Sequence, residues 1–314
     1  MIEPVTCTLD DNIAVLSVQA DVFDMRLCQA FADTLADVLA NDQVQGIVFG
    51  CTDAGTWPQV SIADVDRSDP VPLVADICAT IQAAPIPVVA VLQGPAVGPA
   101  AELILAAHYR VFTRNAKLQF PGMNLGMIPG AGGTQRLARW LGAKNAMDLL
   151  FAGGALDAEA AKAVDLVDAS SRSAPTTNTV KFTKNLVKQN AGPRPDSADR
   201  APGLADPKAF QQAVDTARSG ITRGDLMAKG KVIDCVEVAL LLPLYAGLAF
   251  EAEAYQDCKS AVQSHGLRRS FLSTGVFEVV GQNVDNPIVI GGGVSGYSGW
   301  GGSGPNRRGA GSDK

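Results

Sequence analysis

Histidine is nearly missing from this chain. Only His108 and His265 occur among 314 residues, so a multi-histidine metal centre is excluded. The six cysteines (Cys7, Cys28, Cys51, Cys78, Cys235 and Cys258) are scattered and form no CxxC pair. That spacing suits neither a zinc site nor a disulfide framework and fits a reducing compartment. Long apolar runs are missing too. The longest, Val238–Phe250, has 13 residues and contains Pro243, whereas a membrane span needs about 20. The opening Met1-Ile2-Glu3-Pro4 has neither the basic nor the apolar region of a secretory leader. A net charge of −6 and a pI near 5.0 argue against nucleic acid or an anionic membrane as partner. A soluble, cytoplasmic protein without a transmembrane segment is expected.

What the chain does have is apolar residues, 47% of the total, enough for one large core or two small ones. Val5–Thr8, a turn at Asp10-Asp11-Asn12 and Ile13–Val18 predict a hairpin. Met25, Phe31, Leu35 and Val38 recur near helical period, and Gly46–Gly50 reads as a short buried strand. Leu73, Ile77 and Ile81 mark a second helix, which Pro85 and Pro87 stop ahead of the strand Val88–Leu92. A small-residue turn, Gly94–Gly98, leads into a helix from Pro99 to about Ala107, then the strand Tyr109–Phe112. This alternation over residues 1–170 predicts an α/β core. Residues 171–207 are polar and read as a connection, with helical spacing at Val180–Val187. Residues 208–286 return to helical periodicity, and 287–314 form a Gly-rich tail whose default is disorder.

One segment is unusual. Pro129-Gly130-Ala131-Gly132-Gly133-Thr134-Gln135-Arg136-Leu137, together with Leu118–Pro121 and Asn124–Ile128 upstream, resembles the signature stretch of the crotonase (enoyl-CoA hydratase/isomerase) superfamily. Gly153–Val167 resembles the family segment that follows, with Asp165 where glycine is usual. Leu226–Leu272 is similar to the helical linker of bifunctional enoyl-CoA hydratase/3-hydroxyacyl-CoA dehydrogenases. The resemblance covers about residues 1–296, is strongest over 88–168, and is weak before 70. It implies a crotonase (ClpP/crotonase-like) spiral of ββα repeats with a helical C-terminal region. It also implies a coenzyme A thioester as ligand and a homo-oligomer or larger assembly as the working state. The glycines would let backbone pass close to a thioester, and Thr134 is placed to cap the helix carrying Leu137, Trp140 and Leu141. Gly98, Pro129, Gly130, Gly132 and Gly133 are therefore the candidate substrate-binding positions.

Hydrating a 2-enoyl thioester needs a base for water, an acid for C2 and two N–H donors for the enolate oxygen. Glu102 matches the family's base; the bland alternative is a solvent-facing or salt-bridged glutamate. The family's second glutamate follows the proline matched by Pro121, and here that position is Gly122, which has no side-chain proton to give. One oxyanion donor is normally a glycine N–H three residues before the base. Pro99 stands there and has no N–H, although proline suits the first turn of a helix. The other donor belongs to a loop matched by Pro58–Val65, where Ala63-Asp64-Val65 keeps a faint echo and Ile62 replaces the preceding glycine. The family's early Asn-Pro-Pro-Val-Asn-Ala-Leu-like stretch is absent; Ala20–Met25 stands in its place. A lost donor costs about 10²–10³ in turnover and a lost acid about 10²–10⁴, and the losses need not multiply.

Near the end, Pro287–Gly296 fits a strand followed by GxGxxG, with glycines at 291, 293 and 296, where bifunctional relatives begin a dinucleotide-binding domain. Only 18 residues follow, without helical period or a suitably placed acid, so NAD binding is not expected. A Ser–His–Asp hydrolase is not supported: neither histidine lies in a fitting motif, and Gly293-Val294-Ser295-Gly296 is not a nucleophile elbow. The expectation is an enoyl-CoA hydratase/isomerase-like protein with impaired chemistry that keeps an acyl-CoA-binding or protein-assembly role. The rival is an active hydratase, isomerase or lyase with Glu102 as its only base.

Overall fold

The computed structural model describes residues 3–51, 57–63, 65–66, 68–194 and 201–274. Strands β1 (Val5–Asp10) and β2 (Ile13–Val18) form an antiparallel hairpin running from Val5↔Val18 to Asp10↔Ile13. Asp11 turns the corner in the left-handed region, at φ 55°, where a short polar side chain is tolerated. Strands β3 (Gly46–Cys51) and β4 (Val88–Leu92) then add in parallel. Both are buried along their whole length, which explains their uninterrupted apolar sequences. Helix α1 (Met25–Leu39), capped by the Asp24 carboxylate on the Leu27 N–H, and helix α2 (Val71–Ala83) cover one face.

The segment expected as a small-residue turn contains a strand, β5 (Pro95–Val97). It pairs in parallel with β7 (Lys117–Gln119), which pairs antiparallel with β8 (Ala155–Asp157), giving a second, three-stranded sheet. Three residues are too few for a hydrophobic period, so only the pairing defines β5. Between them lie helix α3 (Pro99–Ala106) and strand β6 (Tyr109–Phe112). A 3₁₀ turn (Pro121–Leu125) precedes the long helix α4 (Gly133–Ala152), which is broken at Gly142, φ 77° and ψ 166°. Helix α5 (Ala158–Ala163) and strand β9 (Ala169–Ser170) complete the larger sheet in the order β1-β2-β3-β4-β6-β9. Asp165 between them has φ 56°, so glycine would be the unstrained residue there.

The polar connection of 171–207 is not merely a linker, because it holds helix α6 (Pro175–Lys188). Val180 and Leu186 join a second core with Ile13, Val48, Val89, Val91, Tyr109 and Val111 on the outer face of the sheet. Its polar composition is misleading because the hydroxyls of Thr179 and Thr183 donate to the carbonyls of Pro175 and Thr179, at 2.8 and 2.9 Å. Those bonds let both threonines be buried. The expected C-terminal helices follow as α7 (Pro207–Ser219), α8 (Met227–Leu241), α9 (Leu244–Ser260) and α10 (Val262–Thr274). The Gly-rich tail, including Gly291, Gly293 and Gly296, lies outside the described residues.

Buried Arg110 on β6 ties the layers together. Its Nε donates to Leu166 O (2.7 Å), and Nη1 donates to Ala107 O (2.6 Å) and Leu105 O (3.2 Å). Its guanidinium lies 5.4 Å from the Trp140 ring centre. Arg110→Ala would leave these carbonyls without their donor in the interior, at a cost of about 3 kcal/mol or more. Chemical denaturation should show that loss. Arg110→Lys should recover little of it, because an ammonium lacks the planar fork.

Candidate functional site

The glycine-rich stretch runs into the first turn of α4, where the leading N–H groups of a helix have no partner within the helix. Here two buried glutamates take them in alternation. Ala131 N and Gly133 N donate to Glu102 Oε1, at 2.7 and 2.8 Å. Gly132 N donates to Glu251 Oε1 at 2.6 Å, while Thr134 N and Gln135 N donate to Glu251 Oε2 at 2.8 and 3.2 Å. The Thr134 hydroxyl also donates to Glu251 Oε2. Thr134 therefore does not cap the helix as expected: the cap position is Gly132, and no side chain of its own closes it. Carboxylates brought from α3 and α9 saturate the amides instead, and Thr134 becomes a donor to one of them.

Glu102 is not solvent-facing, at 1% exposed, and among the described residues it forms no salt bridge. Among the described residues its Oε2 accepts no hydrogen bond. Burial, then the charge of Glu251, pushes its pKa up to about 8, against the pull of the Ala131 and Gly133 amides. Burial also raises Glu251, opposed first by the Thr134 hydroxyl. The Arg136 guanidinium closes the loop from below, donating to Ala131 O (2.8 Å) and Gln82 Oε1 (2.9 Å).

The glycines are packed by protein. A Cβ on Gly130 would lie 2.6 Å from the Tyr255 ring, and one on Gly132 (φ 103°) would collide with the Arg136 guanidinium. A Cβ on Gly133 would meet Pro129 at 2.6 Å and Glu102 Oε1 at 3.0 Å. Gly98 differs: it sits at φ 56° with open space where a Cβ would point. Its N–H is already bonded to Gln119 O at 2.8 Å. Pro99 is the first residue of α3, as its ring favours. Gly122 lies in the 3₁₀ turn, and a Cβ there would come 3.1 Å from Met127 O. Ala63 is in an exposed turn, and neighbouring Asp64 lies outside the described residues.

The two histidines serve structure. His108 is buried, with Nδ1 accepting from Val88 N (3.1 Å) and Nε2 paired with Gln82 O (3.2 Å). His265 is half-exposed, 3.8 Å from Asp66. Among the described residues no cluster of ligating side chains could hold a metal ion, and no helix is long and apolar enough to cross a membrane. Sequence reasoning missed Glu251. Its one signal is being the first charged residue after the apolar run that ends at Phe250, within the linker-like segment Leu226–Leu272.

Two sheets in this order, a helix-capping glycine loop and a C-terminal helical layer define a crotonase-type α/β fold. An enoyl-CoA hydratase from Mycobacterium avium subsp. paratuberculosis K-10 superposes with a TM-score of 0.61 at 20% identity, covering 87% of this chain and 97% of that one. An enoyl-CoA hydratase/isomerase from Pseudoalteromonas atlantica T6c gives 0.62 at 17% identity, over 87% and 97%. The enoyl-CoA hydratase/isomerase family pattern matches residues 22–192, more than half of the chain, which therefore belongs to that family. A fatty acid oxidation complex subunit alpha from Shewanella halifaxensis is 28% identical over 91% of this chain and 44% of its own length. One from Vibrio cholerae is 32% identical over 60% of this chain and 28% of its own. The chain thus spans less than half the length of these relatives.

A glutamate whose folded pKa is raised stabilises the fold fully below its unfolded value and loses that contribution as pH climbs through the folded value. For Glu102 the window runs from about 4.5 to about 8. Glu102→Gln keeps an oxygen for the two amides and removes the proton equilibrium. Its melting temperature should therefore fall less than that of the wild type between pH 5 and about 8.5, and scanning calorimetry at both pH values checks this.

Proposed function

We propose that this chain is an enoyl-CoA hydratase/isomerase-like protein with crippled hydratase chemistry, retaining an acyl-CoA-binding or protein-assembly role. The observation that carries this reading is the state of Glu102, the only side-chain carboxyl left among the family's two acid–base positions. Its Oε1 is occupied by two backbone amides, and its buried setting favours the protonated form, which is a poor base for water. The remaining parts are missing on independent grounds. Gly122 offers no acid, Pro99 has no N–H, and the neighbouring Gly98 N–H is engaged with Gln119 O. The open space beside Gly98 supports a place for a thioester. The names of the full-length relatives suggest a fatty-acyl chain on it.

A second reading has one observation in its favour: among the described residues Glu102 Oε2 takes no hydrogen bond. A single carboxyl that moves a proton between carbons would then give an isomerase or lyase without the second acid.

Hydration of crotonyl-CoA, followed by loss of the conjugated enoyl absorbance, should be at least about 10³-fold below that of a competent family member. Calorimetric titration with a long-chain enoyl-CoA should separate the roles. Binding without turnover supports the thioester role, and neither supports assembly. Turnover within tenfold of a competent enzyme overturns the impaired reading.

Repair tests the same lesions. Pro99→Gly with Gly122→Glu should restore measurable hydration, exceeding the product of the single gains because both groups act on one transition state. Met127 O must give by a few tenths of an ångström to admit the new side chain. Adding Glu102→Gln should abolish the recovered rate. A flat double variant that still binds CoA would move the defect to the Ile62–Ala63 loop.

A further inference from the structure

The chemistry above leaves Glu251 without an assigned role, yet it is fully buried and comes from a helix more than a hundred residues beyond the loop it grips. We propose that Glu251 is a positioning residue for Glu102, fixing through their shared loop both where the Glu102 carboxyl sits and that this carboxyl carries a proton on Oε2. The inference rests on the reading that Glu102 is the group facing the ligand.

The geometry argues it in three steps. First, the five successive amides of residues 131–135 are divided between the two carboxyls, the first four strictly in alternation. Neither glutamate can shift without dragging amides held by the other. Second, two carboxylates in one dry site do not both ionise readily, so the pair favours holding a proton between them. Third, the donors decide which of them keeps it. Glu251 accepts three amides and the Thr134 hydroxyl, with both oxygens engaged. Glu102 accepts two amides, both on Oε1. Hydrogen bonds stabilise the ionised form, so the negative charge belongs on Glu251 and the proton on Glu102 Oε2, the oxygen no amide occupies.

The other charged or titratable groups around the pair do not reverse this assignment. Arg136 of α4 lowers both carboxyls. Cys78 of α2, Cys235 of α8 and Tyr255 of α9 are themselves pushed upward by burial and stay neutral. Strands β4 and β5 contribute no titratable side chain to this region. With the proline at position 99 unable to donate, a protonated Glu102 supplies a hydrogen-bond donor to a thioester oxygen where the family relies on backbone.

The test is a carbon-13 titration of the full chain labelled at glutamate. The Glu102 signal is identified by its loss in Glu102→Gln, and that of Glu251 by its loss in Glu251→Gln. In the wild type Glu102 should read as a neutral acid at pH 6–7 and ionise near 8, with Glu251 ionised first. In Glu251→Gln the Glu102 midpoint should fall by at least about one pH unit, as removal of a neighbouring like charge predicts. A purely structural Glu251 would loosen the loop without moving that midpoint. If Glu251→Gln does not fold, Thr134→Val removes one donor from Glu251 and should likewise lower the neutral fraction of Glu102. A wild-type Glu102 ionised at pH 6, or a midpoint unmoved in the folded variant, overturns the proposal. Crotonyl-CoA titration of the same sample keeps the two readings apart. The expected Glu102 titration without thioester binding rejects the ligand role and leaves Glu251 as the positioning residue.

Discussion

Glu102 and Glu251 hold one loop between them, and the arrangement of the site follows from that grip. A helix of twenty residues starts at Gly133 with its leading amides buried, a situation that destabilises a fold unless each donor finds an acceptor. Two carboxyls satisfy them, and in doing so bring α3, α4 and α9 to a common point. The tight glycines follow from the same constraint. Gly130 and Gly132 lack side chains because Tyr255 and Arg136 occupy the space a Cβ would need.

That constraint also bears on what the chain can do. In a hydratase the carboxyl at the Glu102 position must be free to take a proton from water, with a second acid opposite and an amide at the position of Pro99. The position we assign to the second acid is Gly122, in a 3₁₀ turn where a Cβ would press against Met127 O at 3.1 Å. The proline at 99 improves the start of α3 while removing a donor. On our proposal each change suits local structure and none suits hydration. The family fold persists because its buried strands do not depend on positions 99 and 122, while Glu102, whatever its chemistry, is also part of the grip on the loop.

Several elements were legible because local chemistry dictated them. The hairpin and the proline stop before β4 appear as read, with Asp10 drawn into β1 and the turn held to Asp11-Asn12, and Phe31, Leu35 and Val38 are buried on α1 beside Leu27 and Cys28 rather than Met25. Helix α6 was underestimated because two of its buried residues are threonines, whose hydroxyls are silenced by their own helix carbonyls. Strand β5 resembles a turn in sequence because three small residues carry no period. In both places a property invisible in composition, pairing or self-satisfaction, set the structure.

The candidate site divides in the same way. By itself the sequence determined which side chains are present: a glutamate at 102, no carboxyl at 122, no amide hydrogen at 99, and a glycine-rich entry to α4. Those are covalent facts, and they limit the chemistry whatever the fold. Only the tertiary structure decided what Glu102 is bonded to, because its partners lie 29 and 31 residues away. The same holds for Glu251, which reaches the loop from 119 residues beyond Gly132. Charge on a buried carboxyl depends on its solvation and its neighbours, and both are properties of packing rather than of residue type.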